Sequence, residues 1–311
     1  MKITARAPAS IGNVGVGFDI LGAALEAIDD GPYLGDVVTV EHATVGSFLA
    51  TGPFADLLPA DVSTNLVLKA QDAFWEAGRD APLARVGLHK GLPIGSGLGS
   101  SAASIVAGVV AFDAFFGTGL DGAELLRRMG ALKGSVSGSV HYDNVGPAFH
   151  GGLQLLLDEG EHLVRELPVP DWTIVLLHPG TSVSTAAARA VMPDSYPRAT
   201  AVDHGRRVAG FVHALHTGEH DLAARLMVDV LAEPWRKTLL PHLGPARAAA
   251  EDAGALAAGI SGSGPTVFAV ARSVEDAARI RDAWTPLIAQ PRGFVRVARI
   301  GRAGAVVEID T

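Results

Sequence analysis

One segment in the first half of the chain, residues 93–104 with the sequence PIGSGLGSSAAS, restricts the possible folds more than any other. Its alternate glycines, Gly95, Gly97 and Gly99, let the backbone curl tightly and expose its N–H groups. Two serines then open an apolar helix predicted to continue to Gly117. The N–H groups and the dipole of a helix N-terminus favour anions. This order of loop, serines and helix predicts a phosphate site, with a plain glycine turn capped by serines as the alternative.

Two other common phosphate-binding motifs do not fit the sequence. A Walker A loop ends in Gly-Lys-Ser or Gly-Lys-Thr, and no such triplet occurs in the chain. Residues 97–102 do match the dinucleotide pattern GxGxxA. That pattern needs a second strand ending in an acidic residue about 20 positions further on. Because the predicted helix is followed instead by a loop at residues 118–121 and another helix, a Rossmann site is not expected.

The hydrophobic patterning predicts a mixed α+β fold with a sheet covered by helices. Strands are expected at residues 2–7, 36–42, 85–89, 151–157, 172–178, 266–271 and 294–300. Helices are expected at residues 65–78, 100–117, 120–133, 205–231 (with a break near 217), 244–258, and after Ser273, with Asp276 completing a capping box. A chain of 311 residues suggests two domains, and the acidic, proline-containing stretch at 158–171 places their boundary between domains 1–160 and 161–311.

Composition excludes several function classes. A net charge of −8 argues against a nucleic-acid or anionic membrane partner, since both need a basic surface. The absence of cysteine excludes a thiolate metal site and a cysteine nucleophile. No signal peptide is visible, and the longest apolar stretch, residues 102–112, is shorter than the ~20 residues of a membrane span. A cytoplasmic location is therefore expected.

Four segments, met in the same order along the chain, resemble the GHMP small-molecule kinases, and together they resemble the homoserine kinase branch of that family. They are the segments at residues 8–19, 93–104, 137–147 and 259–266. The resemblance implies a two-domain α+β fold, with an N-terminal domain like domain 2 of ribosomal protein S5 and a ferredoxin-like C-terminal domain. It also implies that residues 259–264 pack beneath the phosphate loop, although alone they would be a helix C-cap and turn.

The resemblance implies an ATP-dependent reaction that phosphorylates the hydroxyl of L-homoserine, a step toward threonine. Asn65, which alone would be a helix N-cap, matches a family position near the adenine. Mg²⁺ is the implied cofactor, with Ser101 as its ligand and as a catalytic residue. The positions that match the family's ATP-binding residues are Asn65, Pro93, Ile94, Gly95, Ser96, Gly97, Leu98, Gly99, Ser100, Ser101, Ala102 and Ala103.

The implied substrate is a zwitterion with a terminal hydroxyl. Its ammonium needs a carboxylate or amide, and its carboxylate suits a guanidinium fork. Asn144 is expected to orient the hydroxyl and Arg189 to act in catalysis as well as binding, with no dedicated base, because phosphoryl transfer depends mostly on positioning and charge. Structural hydrogen bonds that hold the loop are the competing interpretation, most of all for the neighbouring Tyr142 and to a lesser degree for His141. The positions that match the family's substrate contacts are Asn13, Asp19, His141, Asp143, Thr185, Arg189 and Arg236.

One position departs from the family pattern. The family usually has a glutamate that binds Mg²⁺ eight residues before the histidine, and this chain has Lys133 there. Mg²⁺ is then held by Ser101, phosphates and water, or Lys133 itself binds the phosphates, or catalysis is weak. We expect retained activity with altered metal affinity. Another GHMP kinase, for mevalonate or a sugar, and a non-catalytic ligand sensor are the alternatives, and a homodimer is expected by family analogy.

Overall fold

The computed structural model describes residues 1–74, 83–137, 140–159 and 162–310. The strands are β1 (Lys2–Pro8), β2 (Ser10–Gly12), β3 (Leu21–Ala27), β4 (Gly35–His42), β5 (Ser47–Thr51), β6 (Ala84–His89), β7 (Leu153–Glu159), β8 (His162–Leu167), β9 (Thr173–His178), β10 (Ala257–Ile260), β11 (Val267–Ala271), β12 (Phe294–Ile300) and β13 (Val306–Asp310). The helices are α1 (Leu66–Asp72), α2 (Ser100–Phe116), α3 (Gly122–Ser137), α4 (Val145–His150), α5 (Thr185–Ala190), α6 (Arg198–Thr217), α7 (His220–Leu226), α8 (Glu233–Arg236), α9 (Leu243–Asp252) and α10 (Val274–Trp284). Short 3₁₀ turns lie at Ala55–Leu57, Val62–Thr64, Lys237–Leu239 and Thr285–Leu287.

A five-stranded sheet supports the helix that follows the glycine loop. Its order is β13-β1-β4-β6-β5; β5 and β6 run parallel to each other, and the other three neighbouring pairs are antiparallel. In β1 the alternation of the sequence puts Ile3 and Ala5 inside and leaves Lys2 and Arg6 exposed. The buried face packs against α2, which follows directly after the glycine loop. The sheet therefore fixes where the N-terminus of α2 lies.

The second sheet joins elements from both halves of the sequence. Its order is β10-β11-β9-β12-β3-β7-β8, with β2 paired to β3. Every residue of β9 is buried because the strand lies between β11 and β12 and beneath α10. The N-terminal strands β1 and β3 pair with the C-terminal strands β13 and β12. The domain boundary between residues 160 and 161 therefore stays a prediction, since neither sheet is confined to one side of it.

Helix α2 is buried on nearly all sides rather than on one stripe. It lies between the five-stranded sheet and α1, α3 and α4, so its residues from Ala102 to Phe112 are all buried. Gly99 at its start and Gly117 at its end adopt the left-handed conformation that glycine tolerates best. The predicted length of this helix is confirmed, and its even burial explains why it is apolar all round.

Several predicted boundaries are wrong, each for a local reason. The strand β8, which pairs with β7 as a hairpin, lies in the proline-containing stretch at residues 158–171, where no strand was predicted. The helix expected at residues 244–258 ends at Asp252, because Gly254 turns the chain into β10. The break predicted near Gly218 is confirmed, but α6 begins earlier, directly after Pro197. Part of the helix predicted at residues 65–78 lies outside the described residues.

Other expectations on the elements are confirmed. The strands predicted at both ends of the chain and at residues 85–89 are present, and the side chain of Ser273 accepts the backbone N–H of Asp276 as the cap of α10. The sequence patterns missed the short strands β2, β5 and β13. Across the described ranges, no helix is long and apolar enough to cross a membrane.

Candidate active site

A cleft of about 690 Å³ opens in front of the N-terminus of α2. Its walls come from the glycine loop, from α3, from the segment before α4, from the start of α5, and from the loop after β10. The predicted site residues that line it are Asn13, Asp19, Asn65, Ile94, Gly95, Ser96, Gly97, Gly99, Ser100, Ser101, His141, Asp143, Asn144, Thr185, Arg189 and Arg236. The structure thus brings together residues separated by more than 200 positions in the sequence.

Four predicted ATP contacts lie behind the wall of the cleft, in the interior. Pro93 is buried, and the side chains of Leu98, Ala102 and Ala103 are fully buried. The Leu98 N–H donates to Ser96 Oγ over 3.3 Å, and the Ala103 N–H donates to the carbonyl oxygen of Gly99 over 2.8 Å. Leu98 and Ala103 therefore support the loop from within, and their direct contact with ATP stays a prediction.

The glycine loop rests on the loop that follows β10. Ser261 Oγ donates to the carbonyl oxygen of Gly97 over 2.8 Å, and the Thr266 N–H donates to that of Ser96 over 3.0 Å. A Cβ atom at Gly97 would lie 2.3 Å from the Ser261 carbonyl oxygen, and Gly97 has a φ of +82°. Only glycine fits here without strain. The prediction that residues 259–264 pack beneath the phosphate loop is confirmed.

The start of α2 presents donors to the cleft. The first bond into the helix is the one from Ala103, so the N–H groups of Ser100, Ser101 and Ala102 precede it. The two hydroxyl groups behave differently. Ser100 Oγ turns inward and donates to the carbonyl oxygen of Leu92 over 3.3 Å. Ser101 Oγ instead accepts from Lys133 Nζ over 3.0 Å. This end of the helix is an anion site by both its donors and its dipole.

A buried ion pair supports the same helix terminus from behind. The side chains of Lys90 and Asp36 are 2% and 0% exposed, and the Lys90 ammonium donates to the Asp36 carboxylate. Ser104 Oγ donates to the same carboxylate over 2.6 Å, and Lys90 Nζ also donates to the carbonyl oxygen of Ser100 over 3.2 Å. Burial lowers the pKa of Lys90, while Asp36 raises it. Sequence reasoning missed this pair, because its members lie 54 residues apart in no recognisable pattern.

Asp19 and Arg189 face each other across the cleft. Arg189 Nη2 donates to both oxygens of Asp19, over 2.8 and 3.0 Å. Arg189 Nε is buried and has no hydrogen-bond partner among the described residues. His141 Nδ1 lies 3.8 Å from the same carboxylate, and burial lowers its pKa while Asp19 raises it. These distances bring together Asp19, His141 and Arg189, three positions predicted to contact the substrate, and the substrate contacts themselves stay predictions.

The second predicted arginine is held more rigidly. Arg236 is 3% exposed, and its guanidinium donates to the carbonyl oxygens of Ala188 and Gly262 over 3.1 and 2.9 Å. Both guanidinium groups lie over the ring of Phe18, with Arg236 5.2 Å and Arg189 5.5 Å from its centroid. Phe18 is a second residue that sequence reasoning missed as part of the site, although it stands next to the predicted Asp19.

The segment before α4 forms a chain of hydrogen bonds at the base of the cleft. Ser10 Oγ donates to Asn144 Oδ1 and Asn144 Nδ2 donates to Asp143 Oδ2, each over 2.9 Å. Burial raises the pKa of Asp143 to about 6, Asp19 adds to the rise, and Lys133 and the Asn144 hydrogen bond oppose it. Asn144 is therefore fixed in orientation, as its predicted role requires.

Three residues that were predicted to contact a ligand also take part in local structure. Asn13 has a φ of +69°, its Nδ2 donates to the Gly262 carbonyl oxygen over 3.1 Å, and its Oδ1 accepts from the Asp19 N–H over 2.9 Å. Asn65 caps α1 by accepting from the Val67 N–H, as the simpler interpretation of that residue expected. Thr185 occupies the first position of α5 at the cleft. Their contacts to a ligand stay predictions.

The residues of the cleft do not fit a protein-held Mg²⁺ ion. Mg²⁺ prefers carboxylate oxygens, yet Asp19 is paired with Arg189, Asp143 with Asn144, and Asp36 with Lys90. The described residues contain no group of three or more metal-ligating side chains. The expected ligand Ser101 has an ammonium on its hydroxyl, and an ammonium repels a cation. This donor set argues against a metal ion held at Ser101, and the assignment of Ser101 as a metal ligand stays a prediction.

Comparisons with known proteins agree with this geometry. The family model for the GHMP kinase N-terminal domain matches residues 65–152, and the model for the GHMP kinase C-terminal domain matches residues 211–286. The chain belongs to the GHMP kinase family. Its two-domain α+β fold is the fold of this family, as predicted, and kinases of this family use ATP as a substrate.

Solved structures extend the likeness to the whole chain. A homoserine kinase from Cytophaga hutchinsonii is 34% identical, with a TM-score of 0.86 over 99% of this chain and 97% of that one. A putative homoserine kinase from Listeria monocytogenes is 24% identical, with a TM-score of 0.75 over 99% and 100% of the two chains. A mevalonate kinase from L. major, solved with R-mevalonate, is 17% identical with a TM-score of 0.71 over 96% of each chain. The last two show the shared fold alone.

Proposed function

We propose that this GHMP kinase transfers a phosphoryl group from ATP to the hydroxyl of L-homoserine, giving ADP and O-phospho-L-homoserine. The observation that carries the proposal is the pairing of Asp19 with Arg189 beside Arg236, in the same cleft as the N-terminus of α2. The homoserine kinase at 34% identity supports the same substrate.

The charged end of the cleft suits a zwitterion of opposite polarity. An incoming amino acid separates the Asp19–Arg189 pair, because its ammonium pairs with the Asp19 carboxylate and its carboxylate pairs with the Arg189 guanidinium. The buried Nε of Arg189 is a donor that such a carboxylate satisfies. Arg236 adds positive charge from a fixed position. Mevalonate lacks the ammonium and a sugar lacks both charges, so neither uses the whole of this arrangement.

The phosphoryl donor is assigned to the other wall. The N–H groups at the start of α2 bind the phosphate chain of ATP, and the glycine loop lets the backbone approach it closely. Asn65 and the residues around it form the remaining end of the cleft, where the adenine is placed by family resemblance. The substrate hydroxyl and the terminal phosphate then meet between Ser101 and Asn144, both of which line the cleft.

The reaction needs positioning and charge more than a strong base. Asn144, held by Ser10 and Asp143, keeps one amide hydrogen with which to orient the substrate hydroxyl. Lys133 and Arg189 supply positive charge beside the transferred group. The hydroxyl proton leaves to phosphate or solvent. The proposal includes a place in threonine biosynthesis and a homodimer, both as implications of the family resemblance, and the cytoplasmic location expected from the sequence.

A coupled ADP-release assay with L-homoserine, mevalonate and galactose tests the proposal. We expect turnover with L-homoserine alone. Arg189→Met should raise the KM for homoserine by about tenfold or more, since a charge-assisted hydrogen bond is lost. Arg206→Met, at an arginine with a 71% exposed side chain outside the cleft, is the matched control and should behave as the wild type.

Turnover with mevalonate or galactose in place of homoserine would contradict the proposal and favour the corresponding kinase. No turnover with any of the three, together with thermal stabilisation by homoserine, would identify a ligand sensor on the kinase fold.

A further inference from the structure

The ammonium of Lys133 lies at the centre of the proposed phosphate site. Its Nζ donates to Ser101 Oγ over 3.0 Å, next to the N–H groups that open α2. Lys133 comes from α3, a different element from the glycine loop, so the two are brought together by the packing of α3 against α2.

The charges around Lys133 leave room for an anion. Burial lowers the pKa of Lys133 and Arg189 lowers it further, whereas Asp143, which faces the ammonium, opposes this fall. Asp143 also faces Asp19, and burial raises its own pKa to about 6, so it neutralises the cations of the cleft incompletely near that pH. Lys133, Arg189 and Arg236 all line the same cleft. The negative charge of a phosphate chain at the start of α2 would neutralise the remaining positive charge of these three side chains.

We propose that the Lys133 ammonium is the phosphate-binding cation of this cleft, and that it supplies the charge that a protein-held divalent cation would otherwise supply. The proposal rests on the proposed function only in taking ATP as the ligand. Its consequence is that ATP binds through Lys133, Ser101 and the N-terminus of α2 without a requirement for metal.

The same geometry explains why a carboxylate-held metal is incompatible with this arrangement. A divalent cation bound at Ser101 Oγ would lie within a few ångströms of the Lys133 ammonium, since the two groups are 3.0 Å apart. Like charges at that separation repel strongly in a partly buried site. The described residues also lack a cluster of metal-ligating side chains. The ammonium and the phosphate attract each other instead.

Isothermal titration of ATP, with EDTA or with excess Mg²⁺ and without any amino acid, tests the inference on the full chain. We expect the wild type to bind ATP with a Kd that changes within about threefold between the two conditions. Lys133→Met should weaken binding in EDTA by about tenfold or more, because a charge-assisted contact to phosphate is lost. Lys133→Glu should lose still more in EDTA and regain affinity when Mg²⁺ is added.

Arg127→Met, which removes a 44% exposed charge from the same helix, is the control and should match the wild type in both conditions. A second measurement needs no variant at Lys133. The rate of reductive methylation of Lys133 in the wild type, read by mass spectrometry, should fall when ATP is added in EDTA.

Wild-type binding that is seen only with Mg²⁺ would overturn the inference. An unchanged affinity of Lys133→Met in EDTA, or unchanged methylation of Lys133 with ATP bound, would overturn it too. These results are independent of homoserine, so the proposed function can fail while the role of Lys133 stands, and the reverse.

Discussion

Substitution of Lys90 by methionine tests the buried ion pair that supports the phosphate loop. Asp36 accepts from the Lys90 ammonium, from Ser104 Oγ over 2.6 Å, and from the N–H groups of Gly91 and Leu92 over 3.0 and 3.2 Å. The last two residues lead into the glycine loop. Lys90→Met keeps the length and apolar stem of the side chain and removes only the charge, which leaves the carboxylate buried among neutral donors.

The expected cost follows from the burial of both partners. The side chains are 2% and 0% exposed, so solvent cannot take over the role of the lost ammonium. Removing one partner of such a pair destabilises a protein by about 3–5 kcal/mol. The folding equilibrium then shifts by between about a hundredfold and several thousandfold. Replacing both members, as Asp36→Asn with Lys90→Met, removes the uncompensated charge and keeps an acceptor for Gly91 and Leu92.

Urea denaturation followed by circular dichroism measures this cycle, with the wild type, both single variants and the double variant compared at a common denaturant concentration. We expect the double variant to be more stable than Lys90→Met. A Lys90→Met midpoint equal to that of the wild type would refute the argument from buried charge. A double variant no more stable than Lys90→Met would refute the coupling between the two residues.

Three further predictions concern the cleft. Gly97→Ala should weaken ATP binding by about tenfold or more and destabilise the fold, because its Cβ atom would clash with the Ser261 carbonyl oxygen. Gly119 also has a positive φ, +61°, but has open space around it, so Gly119→Ala costs only the backbone strain of about 1–2 kcal/mol. It is the control in both assays, thermal melting and titration with ATP. Asp143, with its pKa raised from 3.8 to about 6, contributes stability below pH 3.8 that is lost as the pH rises through 6. In the wild type the free energy of unfolding should therefore fall by about 3 kcal/mol over that range, and Asp143→Asn should abolish this fall. Urea denaturation at several pH values measures it, and a pH profile that the substitution leaves unchanged would count against the argument. Arg236→Lys should raise the KM for homoserine with a smaller effect on kcat, because a lysine cannot reach both carbonyl oxygens held by the guanidinium; equal KM values would contradict this.

Local patterns predicted the parts of the site that are local in the chain. The glycine loop and the helix after it need specific backbone conformations and capping residues, which short sequence stretches express directly. Gly97 and Gly99 are required by positive φ and by close contacts, and both were recognisable from their spacing. The arginines Arg189 and Arg236 were found through resemblance, since a single arginine carries no local signal of its partner.

Pairings between distant segments were not predictable in the same way. Lys90 and Asp36 meet because β4 and β6 are neighbours in the sheet, which no pattern in either strand specifies. The strand β8 was missed because its apolar residues, Leu163, Val164 and Leu167, do not alternate with its polar ones and two prolines follow the strand closely. The bond between Lys133 and Ser101 depends on the packing of α3 against α2, so the sequence showed only that a lysine stood at an unusual position.

The identity of the reaction product tests the central claim most directly. Incubation of the wild-type chain with ATP and L-homoserine, followed by ³¹P NMR, should show a new phosphomonoester resonance that grows as the β-phosphate of ADP appears. Mass spectrometry should assign it to O-phospho-L-homoserine. Release of inorganic phosphate alone, or no change in the ATP resonances over the same period, would contradict the assignment of this cleft as a homoserine kinase site.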